Sequence, residues 1–327
     1  LNSIRKTFRV AERPPGLFGA IRGAFVREYK EIKALDGISF TIDEGELVGY
    51  IGPNGAGKST TVKIMSGILV PESGQCEIMG RIPWKNRTEH VAAIGVVFGQ
   101  RSQLWWDLPV YDSFHLLRDI YNVPEKEYQR RIADLTDILF LNDLLNTPVR
   151  QLSLGQRMRC ELAASLLHQP RILFLDEPTI GLDAVSKLGL RDFLKEMNQK
   201  LGVTMILTTH DMDDIESLCE RVMVIGHGRL LYDGQLEGLK LKYAPERRIR
   251  AKLTGWPSPA ATPPLELPGA DRIEIKGADC LVYFQPQRIQ AHQLVAALAA
   301  AYPVTDLTVE EQELDQMIAR MYQELKL

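Results

Sequence analysis

Cysteine is scarce in this sequence. Its four residues, Cys76, Cys160, Cys219 and Cys280, stand far apart with no CxxC pair, which excludes a disulfide framework and a thiolate zinc or redox motif. They read as reduced, mostly buried thiols of a cytoplasmic protein. Long apolar runs are missing too: none approaches the ~18 residues a membrane-spanning helix needs. The opening residues LNSIRKTFRV lack the apolar core of a signal peptide, so the expectation is a chain that does not itself cross a membrane. Charge of one sign is also lacking, since 39 Lys+Arg against 42 Asp+Glu leave a net charge of −3. That balance argues against a nucleic-acid-binding surface, which needs excess cations to neutralise phosphates. What the sequence does have is globular composition, 45% hydrophobic and 25% charged over 327 residues. A chain this long exceeds the usual growth of one core and implies a large domain plus a smaller one.

The densest chemistry lies in GYIGPNGAGKSTTVKIM, residues 49–65. An apolar run of strand length (46–51) meets a glycine turn, and KSTTVKIMSGIL follows with helical spacing through Val62, Met65 and Ile68. Strand, glycine turn and helix make Gly52-x4-Gly57-Lys58-Ser59 a phosphate-binding loop. Gly52, Pro53, Asn54, Gly55, Ala56, Gly57, Lys58, Ser59 and Thr60 are the candidate nucleotide-binding residues. Backbone amides and the helix N-terminus surround the β- and γ-phosphates, Lys58 adds a point charge, and the Ser59 hydroxyl ligates Mg²⁺. ATP or GTP with Mg²⁺ is the implied ligand. A second motif, RILFLDEPTIGLD (171–183), begins as a buried strand and ends in two carboxylates before a proline. Asp176 is placed to hold the Mg²⁺ shell, and Glu177 is the candidate base for an attacking water.

Between these motifs lies RQLSLGQRMRCELAASLLHQPRILFLDEP, and here the sequence resembles the ATP-binding cassette (ABC) family. The family signature LSGGQ stands as Leu152-Ser153-Leu154-Gly155-Gln156, with a leucine in place of the first glycine. Ser153 and Gly155, which in the family contact the γ-phosphate, are kept, and Gln156 completes the motif. Met158, Leu162, Ser165 and Leu166 continue a helix for which Ser153 is the expected N-cap. The resemblance implies further roles. His210, closing TMILTTHD, resembles the histidine that contacts the γ-phosphate and orients water. Gln100 resembles the glutamine that joins the Mg²⁺ shell, with Gly99 standing where the family often has it. Asp183 resembles the loop aspartate that communicates between two sites. Phe8 best matches the aromatic that stacks on adenine, with Tyr29 and Phe25 as competitors.

These motifs span residues 1 to about 235. The fold implied is α/β, a P-loop NTPase (ABC ATPase) core over 1–240, with a helical subdomain inserted at about 101–165 and a small C-terminal α+β domain. Trp105 and Trp106 in that subdomain either line the groove that receives a coupling helix of the membrane subunit or pack in its core. In residues 11–33, Phe18, Ile21, Phe25, Tyr29 and Ile32 recur at three- and four-residue spacing, predicting an amphipathic helix that contacts a membrane or permease, or packs on the cassette. After a proline-rich stretch, residues 246–327 predict a ferredoxin-like sandwich, serving regulation, dimer contact or stabilisation. Its tail LTVEEQELDQMIARMY resembles that of ATPases from ABC-2-type exporters. The resemblance therefore implies an ATP-hydrolysing subunit on the cytoplasmic face of the cell membrane. It would act as a homodimer or pseudo-symmetric dimer beneath a separate ABC-2-type permease and bind no nucleic acid. A soluble ABC ATPase of ribosomes or DNA is the alternative, though one cassette and no heptad run are present. A cassette that binds ATP without hydrolysing it is a third reading, against which Lys58, Asp176, Glu177 and His210 all stand.

Overall fold

The computed structural model describes residues 1–12, 28–99, 102–243, 246–253, 267–276, 279–310 and 314–324. They form two compact units, Leu1–Leu236 and Glu237–Leu327. The first unit opens with strands β1 (Asn2–Glu12) and β2 (Glu28–Ile38), followed by β3 (Leu47–Ile51), helix α1 (Lys58–Met65), β4 (Ser73–Gln75), α2 (Arg87–Val91) and β5 (Ile94–Phe98). Three helices come next, α3 (Val110–Ile120), α4 (Glu125–Ile138) and α5 (Leu154–Leu166). The chain then alternates through β6 (Ile172–Asp176), α6 (Ala184–Leu201), β7 (Thr204–Thr208), α7 (Met212–Leu218), β8 (Arg221–Gly226) and β9 (Arg229–Gln235).

Short apolar strands alternating with helices build a parallel sheet covered on both faces. Its order is β5-β6-β7-β3-β8-β9, parallel throughout except for the β8–β9 hairpin. Every residue of β7, TMILT, is buried, as a strand in the middle of such a sheet requires. Because β3, β5, β6 and β7 run the same way, their carboxyl ends share one edge, the place where open α/β sheets bind ligands. A smaller antiparallel sheet, β2-β1-β4, flanks this core. The helical stretch starts its first two helices with proline, Pro109 before α3 and Pro124 before α4, and places Asp112, Glu125 and Glu127 in their first turns, where the helix dipole favours an acid.

The second unit contains α8 (Leu236–Tyr243, all but its first residue), β10 (Arg247–Leu253), β11 (Arg272–Lys276), β12 (Asp279–Phe284), α9 (Ala291–Ala301), β13 (Val304–Glu310) and α10 (Leu314–Glu324). Its four strands form an antiparallel sheet in the order β11-β12-β10-β13. Alternation makes the core: Ile249, Ala251 and Leu253 of β10 and Cys280, Val282 and Phe284 of β12 pack with Leu294 and Leu298 of α9.

Two local expectations are corrected. Tyr29 and Ile32 lie on a strand, not a helix. Residues 28–38 pair antiparallel with residues 4–12, Phe8 opposite Ile32 and Ala11 opposite Tyr29, and cross-strand pairing overrides a periodicity carried by a few residues. Phe18, Ile21 and Phe25 lie outside the described residues. The helix after the phosphate loop ends at Met65 instead of running through Ile68. Gly67 takes a φ of 75°, and such a left-handed residue terminates a helix.

Candidate active site

The loop between β3 and α1 is built before any ligand is considered. At Gly57, the N-cap of α1, φ is 111°, and a Cβ there would stand 2.5 Å from the Ala34 carbonyl oxygen. Only glycine fits both demands. Lys58 is the first residue of α1, nearly buried, and its Nζ donates to the Gly52 carbonyl at 2.6 Å and the Pro53 carbonyl at 3.1 Å. The ammonium thus lies over the loop's own backbone, in the concavity the glycines open. Burial lowers the Lys58 pKa, and the nearby Glu177 and Asp176 carboxylates work against that shift. One turn into α1, the Thr61 hydroxyl donates to the Gly57 carbonyl and pairs with the buried Tyr50 hydroxyl, pinning strand to helix.

Asp176 ends β6 and meets this loop. Its Oδ1 accepts from the Ser59 hydroxyl at 3.5 Å and from the Thr208 hydroxyl of β7. Glu177 follows with φ of 56°, an uncommon conformation for a residue with a side chain. The Glu177 amide donates to the Thr208 carbonyl at 2.8 Å, and the Glu177 carboxylate lies 2.8 Å from Nε2 of His210, two residues beyond β7. Phosphate loop, Asp176, Glu177 and His210 therefore converge on one sheet edge. Thr208 joins both acids and was not singled out by sequence; it falls inside TMILTTHD, where only the terminal histidine stands out.

The remaining candidates divide. Ser153 caps α5 as expected: its hydroxyl accepts from the Gln156 amide at 3.2 Å, and the Gln156 side chain accepts from the Ser153 amide at 2.8 Å. This capping box leaves Ser153 exposed at the helix end, with Gly155 in its first turn. Asp183 caps α6, accepting from the Ser186 amide at 3.0 Å and hydroxyl at 2.8 Å, and these bonds lower its pKa. Phe8 lies on β1, 36% exposed, while its competitor Tyr29 is 54% exposed on β2. Trp105 and Trp106 precede α3 and are 39% and 52% exposed, so neither is a core residue. Gln100 lies outside the described residues. Among the described residues no three His, Cys, Asp or Glu side chains converge to hold a metal, and no helix is long and apolar enough to cross a membrane.

A parallel sheet carrying a glycine loop with its lysine after one strand and paired carboxylates after another defines a P-loop nucleotide hydrolase. Comparison with known proteins narrows this. The sequence pattern of the ABC transporter family matches residues 35–180. The ABC transporter ATP-binding protein NatA of Bacillus subtilis (strain 168) is 33% identical over 215 residues, 66% of this chain and 87% of NatA. The methionine import ATP-binding protein MetN of Geobacillus kaustophilus (strain HTA426) is 33% identical over 209 residues, 63% of this chain and 61% of MetN. Among solved structures, the dimeric post-hydrolysis state of the ATP-binding cassette MJ0796 bound to ADP and Pi superposes with a TM-score of 0.61 at 26% identity, covering 72% of this chain and 97% of that one. The chain belongs to the ABC transporter family, as an ATP-binding subunit and an ATPase.

Proposed function

We propose that this subunit powers export through a separate ABC-2-type membrane permease, with its residues acting as follows. The loop from Gly52 to Thr60 cradles the β- and γ-phosphates, with Gly55, Ala56, Pro53 and Asn54 shaping the backbone and Lys58 turning from the loop carbonyls to the phosphates. Ser59 and Asp176 hold Mg²⁺. Their hard oxygen donors suit that ion, which is commonly held by one or two carboxylates together with substrate phosphates. When bound, Mg²⁺ neutralises charge on the β- and γ-oxygens. Glu177 takes the proton of the attacking water and His210 orients it. Phe8 stacks on adenine. By resemblance Gln100 joins the metal shell, and Ser153, Gly155, Gln156 and Asp183 serve the nucleotide of a second cassette. The observation that carries the hydrolytic part of this reading is the 2.8 Å approach of His210 to Glu177 beside the Ser59–Asp176 contact.

Two cassettes, identical or pseudo-symmetric, close on two ATP molecules; the description of the MJ0796 cassette as a dimer supports this. They sit peripherally on the cytoplasmic face of the cell membrane. Export rests on the tail that resembles those of ABC-2-type exporters. Residues 1–240 form the cassette, with its helical subdomain at about 101–165, and residues 246–327 an accessory domain. The antiparallel order β11-β12-β10-β13 supports a ferredoxin-like fold for the latter.

Phosphate release by purified protein tests the chemistry. Glu177→Gln should cut turnover by roughly 10²- to 10⁴-fold while ATP still binds, and chelation of Mg²⁺ should stop turnover in the unaltered protein. Full activity of the variant would remove Glu177 from the reaction. Co-purification of a membrane permease, followed by transport into inverted vesicles on addition of ATP, tests partner and direction; uptake only into right-side-out vesicles would overturn export.

A further inference from the structure

Beneath the Glu177–His210 pair lies a carboxylate that the mechanism above does not use. Asp214, on α7, is fully buried. Its Oδ2 accepts from the Thr179 hydroxyl at 2.6 Å and the Thr209 hydroxyl at 3.2 Å, and its Oδ1 accepts from Arg191 Nε at 2.6 Å. Thr179 is two residues after Glu177, and Thr209 is the residue before His210. A single carboxylate therefore ties together the two loops whose side chains meet 2.8 Å apart.

The tie is reinforced on both sides. The Thr209 hydroxyl accepts from the Asp211 amide at 3.0 Å. Asp211 in turn pairs with Lys187 and, at 3.4 Å, with Arg191. Lys187 and Arg191 both lie on α6, which begins just after the loop that contains Thr179. Thr179 and Thr209 are themselves buried, so their bonds to Asp214 are shielded from bulk water. Meanwhile Glu177 holds a left-handed backbone, φ 56°, just before Pro178, and such a conformation persists only where its surroundings over-determine it. The bond from the Glu177 amide to Thr208 fixes one side of that residue. The Thr179–Asp214 bond fixes the other.

We infer that Asp214 is a positioning residue for hydrolysis: through Thr179 and Thr209 it sets the separation of Glu177 from His210 without touching nucleotide. This rests on the assignment of Glu177 and His210 to the reaction. Near an attacking water, a misplacement of about 1 Å costs on the order of 10²-fold in rate, whereas the phosphate loop, held by β3 and α1, is left as it was.

The test compares Asp214→Asn, Thr179→Val and Thr209→Val in full-length protein by phosphate release, ATP binding and thermal unfolding. Each valine removes one hydroxyl and leaves the Arg191–Asp214 pair in place, so these two variants decide the matter if Asp214→Asn does not fold. The expected result is a fall in kcat of roughly 10- to 100-fold with KM for ATP changed less than about threefold. Combined with Glu177→Gln, Thr179→Val should lower the residual rate no further, because the group on its side of the tie is already gone. Wild-type kcat in all three folded variants, a loss confined to KM, or a Thr179→Val loss that multiplies with Glu177→Gln would each overturn the inference. Should Glu177→Gln itself turn over at the wild-type rate, the failure lies with the catalytic assignment.

Discussion

Replacing Ser153 by aspartate separates the two roles that meet at the start of α5. In the structure the serine hydroxyl accepts from the Gln156 amide at 3.2 Å and the box is closed by Gln156 on the Ser153 amide. Aspartate caps helices about as well as serine, so folding stability should change by less than about 0.5 kcal/mol, whereas alanine should cost ~1 kcal/mol. If the same hydroxyl faces the γ-phosphate of a partner's ATP, the aspartate places a negative charge against another. At ~4 Å and an effective dielectric constant near 20, that repulsion is about 4 kcal/mol per charge pair, roughly 10³-fold in an equilibrium constant. Urea titration should thus find Ser153→Asp as stable as the parent. Light scattering in a Glu177→Gln background should find that it no longer dimerises with Mg-ATP. A variant that is stable and still dimerises would refute the placement of Ser153 at a shared nucleotide, and an unstable one would refute the capping argument.

Lys58→Ala should reduce phosphate release to background, since no other side chain of the loop carries a cation; undiminished turnover would exclude the loop as the ATP site. Burial raises the pKa of Glu161, a buried carboxylate on α5 that accepts from the Ser102 hydroxyl and the Gln103 amide. The unfolded chain releases this proton at a lower pH than the folded one, so Glu161 makes stability fall as pH rises from the ordinary glutamate value through its raised one. Urea midpoints across that window should fall less steeply for Glu161→Gln than for the parent, and equal slopes would count against a raised pKa.

The phosphate loop was legible because its chemistry allows few sequences: glycine at Gly57 is dictated by a positive φ and a carbonyl oxygen that would stand 2.5 Å from any Cβ. The capping box at Ser153 and Gln156 was legible for a similar reason, its two partners being three residues apart. Long-range partners were not. Thr208 reaches Asp176 across 32 positions and Thr179 reaches Asp214 across 35, and no local pattern distinguishes these threonines from their neighbours. The β1–β2 hairpin was misread because Tyr29 and Ile32 continue a three- and four-residue spacing begun upstream, while the strand that pairs with them, 4–12, has no feature that announces its partner. In the C-terminal unit the strands were legible from alternation, as in Asp279–Phe284, but their order is a property of crossovers, which composition does not encode.

Leu154, the departure from the family signature, acquires a reason in the structure. It leans on Gly181 in the loop between β6 and α6, where φ is 72° and a Cβ would clash with Leu154 Cδ2. The larger residue in the signature is thus accommodated by a bare backbone in the loop that ends at Asp183. Gly181→Ala should therefore pay twice: ~1 kcal/mol for a side chain at positive φ, and a further ~0.5 to 1.5 kcal/mol for driving Leu154 off its rotamer. In a Leu154→Ala background the second cost vanishes and only the backbone cost remains. A double-mutant cycle read by urea denaturation should then give a coupling energy of about 0.5 to 1.5 kcal/mol between the two positions. Strictly additive losses would mean that Leu154 moves aside at no cost and that the contact does not join the signature helix to the Asp183 loop.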